Sequence, residues 1–222
     1  MSHEVTLSVE DLPQVIAVFP LDGALLLPHA TRPLNIFEPR YLNMIDDAMA
    51  AERIIGMVQS AQTAEGSGSP ERPTLAPVGC AGRITAFSET GDGRYLITLT
   101  GVARFRLGEE LPGYTPYRRV RVDFSPFRDD LEPLSADGED REALLAPLRR
   151  YLEQRGMRID WQAVQNAALE PLVNSLAMAL PFDFAEQQAL LEAATLAERR
   201  QTLVTLLRID GAFGPGETPS LQ

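Results

Sequence analysis

The sequence predicts an α+β fold: a β-rich half with one early helix, then an antiparallel helical bundle. Three observations carry this. Alternating apolar and polar residues recur up to about residue 127. An acidic, turn-rich stretch from Arg128 to Glu142 then interrupts the pattern. Beyond it no strand pattern returns, and helix-start signals take over. The boundaries that follow are 14–127 for the β-rich subdomain and 136–210 for the bundle, with flexible ends at 1–13 and 211–222.

Gln14 to Phe19 is a short apolar run stopped by Pro20, read as a buried strand. Leu21 to Pro28 reads as a loop carrying Leu25, Leu26 and Leu27. Buried, the three leucines are core; exposed, they form an apolar contact patch. Thr31 to Phe37 is extended, and Pro33 places it at a sheet edge. Pro39 suits a first helical turn, and Tyr41, Met44, Ile45 and Ala48 recur at helical spacing. Ile54 to Val58 is a compact strand, and Ser60 to Pro77 has loop composition. Val78–Ser88 and Arg94–Thr100 flank Thr90-Gly91-Asp92-Gly93, a hairpin connection. Two further strands, one through Ala103, Phe105 and Leu107 and one through Val120, Val122 and Phe124, alternate with arginines, so each is expected to have one wet face.

In the second half, Leu144, Leu145, Leu148, Tyr151 and Leu152 mark a helix around Pro147. Trp161–Leu169 and Glu170–Leu180 are helical, with Pro171 at the place where the two would join. Capping boxes at Asp183/Glu186 and Thr195/Glu198 start helices of about 184–193 and 196–209, with Gly211 as the C′ residue.

Composition excludes much chemistry. All 20 basic residues are arginine. Without lysine there is no P-loop, no Schiff base and no Ser-Lys dyad. One cysteine and two histidines hold neither a disulfide framework nor a zinc site. Cys80 reads as a small buried hydrophobe and His29 as a solvent-facing loop residue. The pairs Asp46-Asp47, Glu109-Glu110 and Asp129-Asp130 read as solvated surface, because neighbouring side chains diverge. The residues thus propose no catalytic site, no cofactor and no metal. The net charge of −11 disfavours nucleic acid. Arg104, Arg106, Arg118, Arg119 and Arg121 are the only basic concentration, read as a polar strand face with ion pairs. A short, charged N-terminus and the lack of any long apolar run point to a cytoplasmic chain without a membrane segment.

One stretch is more specific. Val18-Phe19-Pro20-Leu21, then Pro33-Leu34-Asn35-Ile36-Phe37-Glu38-Pro39-Arg40-Tyr41, resembles the opening of the Lon protease N-terminal domain. Val78-Gly79 to Ile84, Gly93-Arg94 and Gly101-Val102-Ala103-Arg104-Phe105-Arg106 continue the resemblance in order. So do Leu176 to Leu191 and Leu196-Ala197-Glu198-Arg199 to Leu207, giving coverage of about 14 to 209. His29 stands where the family shows glycine.

The resemblance implies a PUA-like pseudo-barrel followed by a helical bundle. In full Lon proteases this domain precedes ATPase and protease modules and helps engage substrates. The expectation is therefore a stand-alone, non-enzymatic substrate-binding domain. Its partners would be unfolded or apolar polypeptide segments, or a partner protein, a protease among them. An RNA-binding PUA-like module is the rival, and a dedicated scaffold a third reading. The candidate peptide contacts are Leu25, Leu26, Leu27, Phe37 and Trp161, with Phe37 the one closest to plain core. Pro20, Glu38, Pro39, Arg40 and Tyr41 are read as structural motif residues.

Overall fold

A computed structural model describes residues 8–60, 73–132 and 141–210. Six strands form one sheet: β1 (Val15–Pro20), β2 (Thr31–Ile36), β3 (Ile54–Val58), β4 (Val78–Glu89), β5 (Tyr95–Glu110) and β6 (Arg118–Asp123). Their order is β2-β5-β4-β3-β1-β6, and β6 returns to pair with the far end of β5. Five strands therefore close into a barrel, and β2 hangs from the first half of β5 as an edge strand.

The fold depends on β5 being one strand. The sequence reading placed two strands here, divided at Gly101. Gly101 instead lies within a continuous 16-residue strand. A Cβ at this glycine would stand 2.0 Å from the Leu27 carbonyl oxygen. The glycine marks a close backbone approach rather than a break. Phe105, fully buried, fills the barrel, and its ring lies where Cβ atoms on Gly56 and Gly79 would fall.

The single early helix, α1 (Pro39–Met49), buries Tyr41, Met44, Ile45 and Ala48, the four residues its spacing selects. Tyr41 packs edge-on against Phe19, with ring centroids 4.5 Å apart. Five helices follow: α2 (Glu142–Gln154), α3 (Trp161–Asn166), α4 (Leu169–Ala179), α5 (Phe184–Glu192) and α6 (Leu196–Asp210). Asp183 and Glu186 form the reciprocal cap predicted for α5. Thr195 Oγ1 accepts the Glu198 amide, but the Glu198 carboxylate reaches back to the Ala194 amide instead of that of Thr195.

Three expectations change. Residues 8–13, read as part of a frayed arm, make a 3-10 turn (Val9–Asp11) followed by buried Leu12. The break between α3 and α4 falls at Ala167 and Ala168, both extended, whereas Pro171 sits inside the first turn of α4. The two halves share their largest core, which runs from Phe19 through Leu144 and Leu176 to Leu207. The loop expected around 61–72, the centre of the acidic stretch at 133–140, Gly211 and the remaining flexible ends lie outside the described residues.

Candidate functional site

The three leucines are not a contact patch. Leu25, Leu26 and Leu27 are at most 2% exposed although they belong to no strand. Their loop lies flat on the sheet, where Gly82 and Gly101 leave room for it. From the other side, Asn174 of α4 donates Nδ2–H to the Pro28 carbonyl at 3.1 Å. A loop held between two layers buries all three leucines, so they are core, the first of the two alternatives, although they lie in a loop and not in a strand.

A buried polar network backs this layer. The Arg104 guanidinium is 3% exposed and its five N–H groups all find acceptors. Nε and Nη2 bind Asp130 at 2.8 and 2.7 Å, and the other N–H groups reach the carbonyls of Leu191, Ala193 and Ala194. Arg104 and Asp130, both read as solvent-facing, are thus an internal clamp. The short 3-10 segment Ser125–Leu131 turns Asp130 inward, beyond the reach of a period-two argument. Arg199 extends the network, donating to the Leu190 carbonyl and to Asn174 Oδ1. Arg104 is thus internal, while Arg106, Arg119 and Arg121 stay exposed on β5 and β6.

Phe37, the contact candidate read as closest to core, is 61% exposed. Ile36 is buried, and the next side chain of an extended chain points the opposite way. Leu96 is 46% exposed, lies opposite Asn35 in the β2–β5 register, and follows Arg94 and Tyr95 on the same strand end. Arg94 covers the Phe37 ring at 5.9 Å. A shallow depression of about 470 Å³ runs along Pro33, Asn35, Phe87 and Leu96. Among the large hydrophobics exposed in the described residues, Leu96 and Phe37 lie on the same sheet face at the end of β2, whereas Phe87, opposite Ile97 and in edge contact with Tyr95, is on the other face.

Among the described residues, β2 pairs only with β5. Its other edge spans about 20 Å. Pro33 is compatible with that edge because it has no N–H to leave unpaired there. At its N-terminal end β2 faces α4 across a second groove of about 510 Å³, lined by Ala30, Arg32 and Pro33 on one wall and Asn174, Ser175 and Met178 on the other. His29 closes this groove. It sits at φ +62°, and its Nδ1 lies 3.0 Å from Glu170 Oε1. That hydrogen bond raises the imidazole pKa against the opposing effect of burial.

The other sequence-selected residues are elsewhere. Trp161 is half-buried against the core, under Arg149 at 4.8 Å, and lines neither depression. Glu38 and Arg40 pair with each other at 2.8 Å and Pro39 opens α1, so the motif forms a helix entrance. Pro20, Arg40 and Tyr41 also line a polar depression of about 370 Å³ at the barrel mouth, where Arg118 is paired with Glu110. Cys80 is buried, and burial pushes its thiol pKa far up, away from the reactive range. The sequence reading placed β2 at a sheet edge from Pro33 but did not select Leu96 on the neighbouring strand as a contact candidate.

The architecture defines a class of protein: a small closed β-barrel with one appended edge strand and a helical bundle docked on it. Within that class the chain belongs to the Lon substrate-binding domain family. The family model, described as the ATP-dependent protease La (LON) substrate-binding domain, matches residues 15–208. The chain is 27% identical to Lon protease 2 of Myxococcus xanthus over 208 residues, 89% of this chain and 24% of that protein. It is 25% identical to Lon protease of Anaeromyxobacter dehalogenans, over 93% of this chain and 24% of that protein. The chain thus spans about a quarter of the length of these relatives. Two solved structures share the fold. The crystal structure of a Lon N-terminal domain protein from Xanthomonas campestris superposes with a TM-score of 0.60 at 24% identity, covering 86% of this chain and 97% of that one. The N-terminal domain of Mycobacterium avium complex Lon protease gives 0.56 at 17% identity, covering 87% and 98%. Among the described residues, no helix is long and apolar enough to cross a membrane.

Proposed function

We propose that this chain is a non-enzymatic, cytoplasmic polypeptide-binding module that takes exposed apolar segments of protein substrates along the open edge of β2. The observation that carries the reading is the exposure of Phe37 and Leu96 on one face beside that edge, in a domain that buries Leu25, Leu26 and Leu27. Apolar side chains of a bound segment would cover this rim, and edge backbone groups would supply register. Membership of the substrate-binding family supports the same use. In this reading Phe37 keeps the contact role assigned from sequence, and Leu96 replaces the leucines of the loop. The RNA reading is weaker, since Arg104 is withdrawn into the interior and the net charge is −11.

The test is an NMR titration of isotope-labelled protein with an unfolded, apolar-rich polypeptide, with an RNA oligonucleotide in parallel. Saturable shifts confined to β2 and the tip of the β4–β5 hairpin are expected with the polypeptide alone. Phe37→Ser should weaken binding about tenfold while changing stability by less than about 0.5 kcal/mol, as for an exposed residue. Shifts with RNA only, or none with polypeptide at high concentration, would overturn the proposal.

A further inference from the structure

We infer that Arg32 makes the groove between β2 and α4 a receptor for one acidic side chain, Asp or Glu, of a bound polypeptide. This rests on the polypeptide-binding reading and states which segments the site prefers.

The inference starts from how guanidinium groups are satisfied in this molecule. Each has five donors. Arg104 uses all of its donors internally. Arg118 holds the Glu110 carboxylate with two bonds and the Pro73 carbonyl with a third. Arg141 caps the carbonyls of Val164, Gln165 and Ala167. Arg199 binds a carbonyl and an amide oxygen. Arg32 is also drawn out of water, yet among the described residues it makes one long bond, Nη1 to the Met178 carbonyl at 3.3 Å. Burial pulls its pKa below the ordinary arginine value, and no neighbouring carboxylate offsets the pull. The nearby Glu170 carboxylate is already engaged by His29.

A partly desolvated guanidinium with most of its donors unengaged, in a groove with walls of Ala30, Pro33 and Met178, matches a carboxylate. Charge-assisted bonds are strong where water is thinned. The groove is open to solvent rather than enclosed, so a segment lying along β2 can present an internal side chain to it. The net charge of −11 limits the choice further. A run of acidic residues is repelled by the domain as a whole, whereas one carboxylate among apolar residues meets a local cation. The preferred segment is therefore apolar with a single acid, its apolar part on the Phe37 rim and its acid at Arg32.

The experiment uses a soluble leucine- and alanine-rich peptide with one central glutamate, blocked at both ends, and its glutamine counterpart, titrated calorimetrically. The glutamate peptide should bind about tenfold or more tightly than the glutamine peptide. Arg32→Gln should erase that difference and leave the glutamine peptide unaffected. Ser175→Glu, an exposed change on the opposite wall, should erase it too by supplying an internal carboxylate, without altering Arg32. Equal binding of both peptides to the wild-type protein would overturn the Arg32 assignment and leave the polypeptide reading standing. Binding of neither peptide would overturn that reading itself. A glutamine peptide with a free C-terminus that binds as tightly as the glutamate peptide would move the site's specificity from side chains to chain ends. RNA binding that is lost in Arg32→Gln would overturn the assignment in favour of phosphate.

Discussion

Replacing Asp130 by alanine tests whether the Arg104 clamp holds the barrel to the bundle. The side chain accepts three bonds from one residue: the Arg104 amide at 2.9 Å, Nε at 2.8 Å and Nη2 at 2.7 Å. Both partners are buried, at 4% and 9% side-chain exposure. Removing the carboxylate leaves a guanidinium without a counterion and a backbone N–H without an acceptor. Breaking a buried pair from one side costs about 3–5 kcal/mol. For a domain of this size, each kcal/mol lowers the unfolding midpoint by about 2–4 °C, so the variant should melt roughly 6–20 °C lower. Urea unfolding followed by circular dichroism measures the loss directly, with the slope against denaturant as a check on the reference state. The double variant Asp130→Leu with Arg104→Met should recover part of the loss, because it leaves no uncompensated charge. A loss below about 1 kcal/mol for Asp130→Ala would refute the reasoning.

Other predictions follow from single contacts. Gly101→Ala directs a methyl group at the Leu27 backbone carbonyl, which no rotamer change relieves; it should cost about 1–3 kcal/mol or more in the same urea assay. The His29–Glu170 contact predicts a pH dependence. Because the folded pKa of His29 lies above its ordinary value of 6.5, its stabilising contribution is complete below that value and is lost as pH rises through the raised pKa. Unfolding midpoints measured across the neutral range should show this fall, and His29→Gln should remove that part of the slope; an unchanged slope would exclude the contact as its source.

Legibility followed the range of the interactions. Helix α1 was readable because one spacing rule selects all four of its buried residues, Tyr41, Met44, Ile45 and Ala48. The Asp183 cap was readable because its two hydrogen bonds span three residues. The Lon resemblance was readable from the ordered motif between Val18 and Tyr41. Arg104 and Asp130 were not, since 26 positions separate them and no periodicity links a strand to a 3-10 turn. The leucine loop failed for the same reason: its burial depends on Gly82, Gly101 and Asn174, each far along the chain. Phe37 was named as a contact candidate, but its exposure was not legible, because only the buried Ile36 before it fixes which way the extended chain turns it.

The clamp also bears on how far such a domain can diverge. Toward the bundle, Arg104 takes only main-chain oxygens, those of Leu191, Ala193 and Ala194. Any residues that keep the turn between α5 and α6 offer those same acceptors. Mutational drift within that turn is therefore decoupled from the clamp, as long as the turn keeps its shape, whereas Asn174 and Gln188, which reach the barrel through their side chains, are held to their identities.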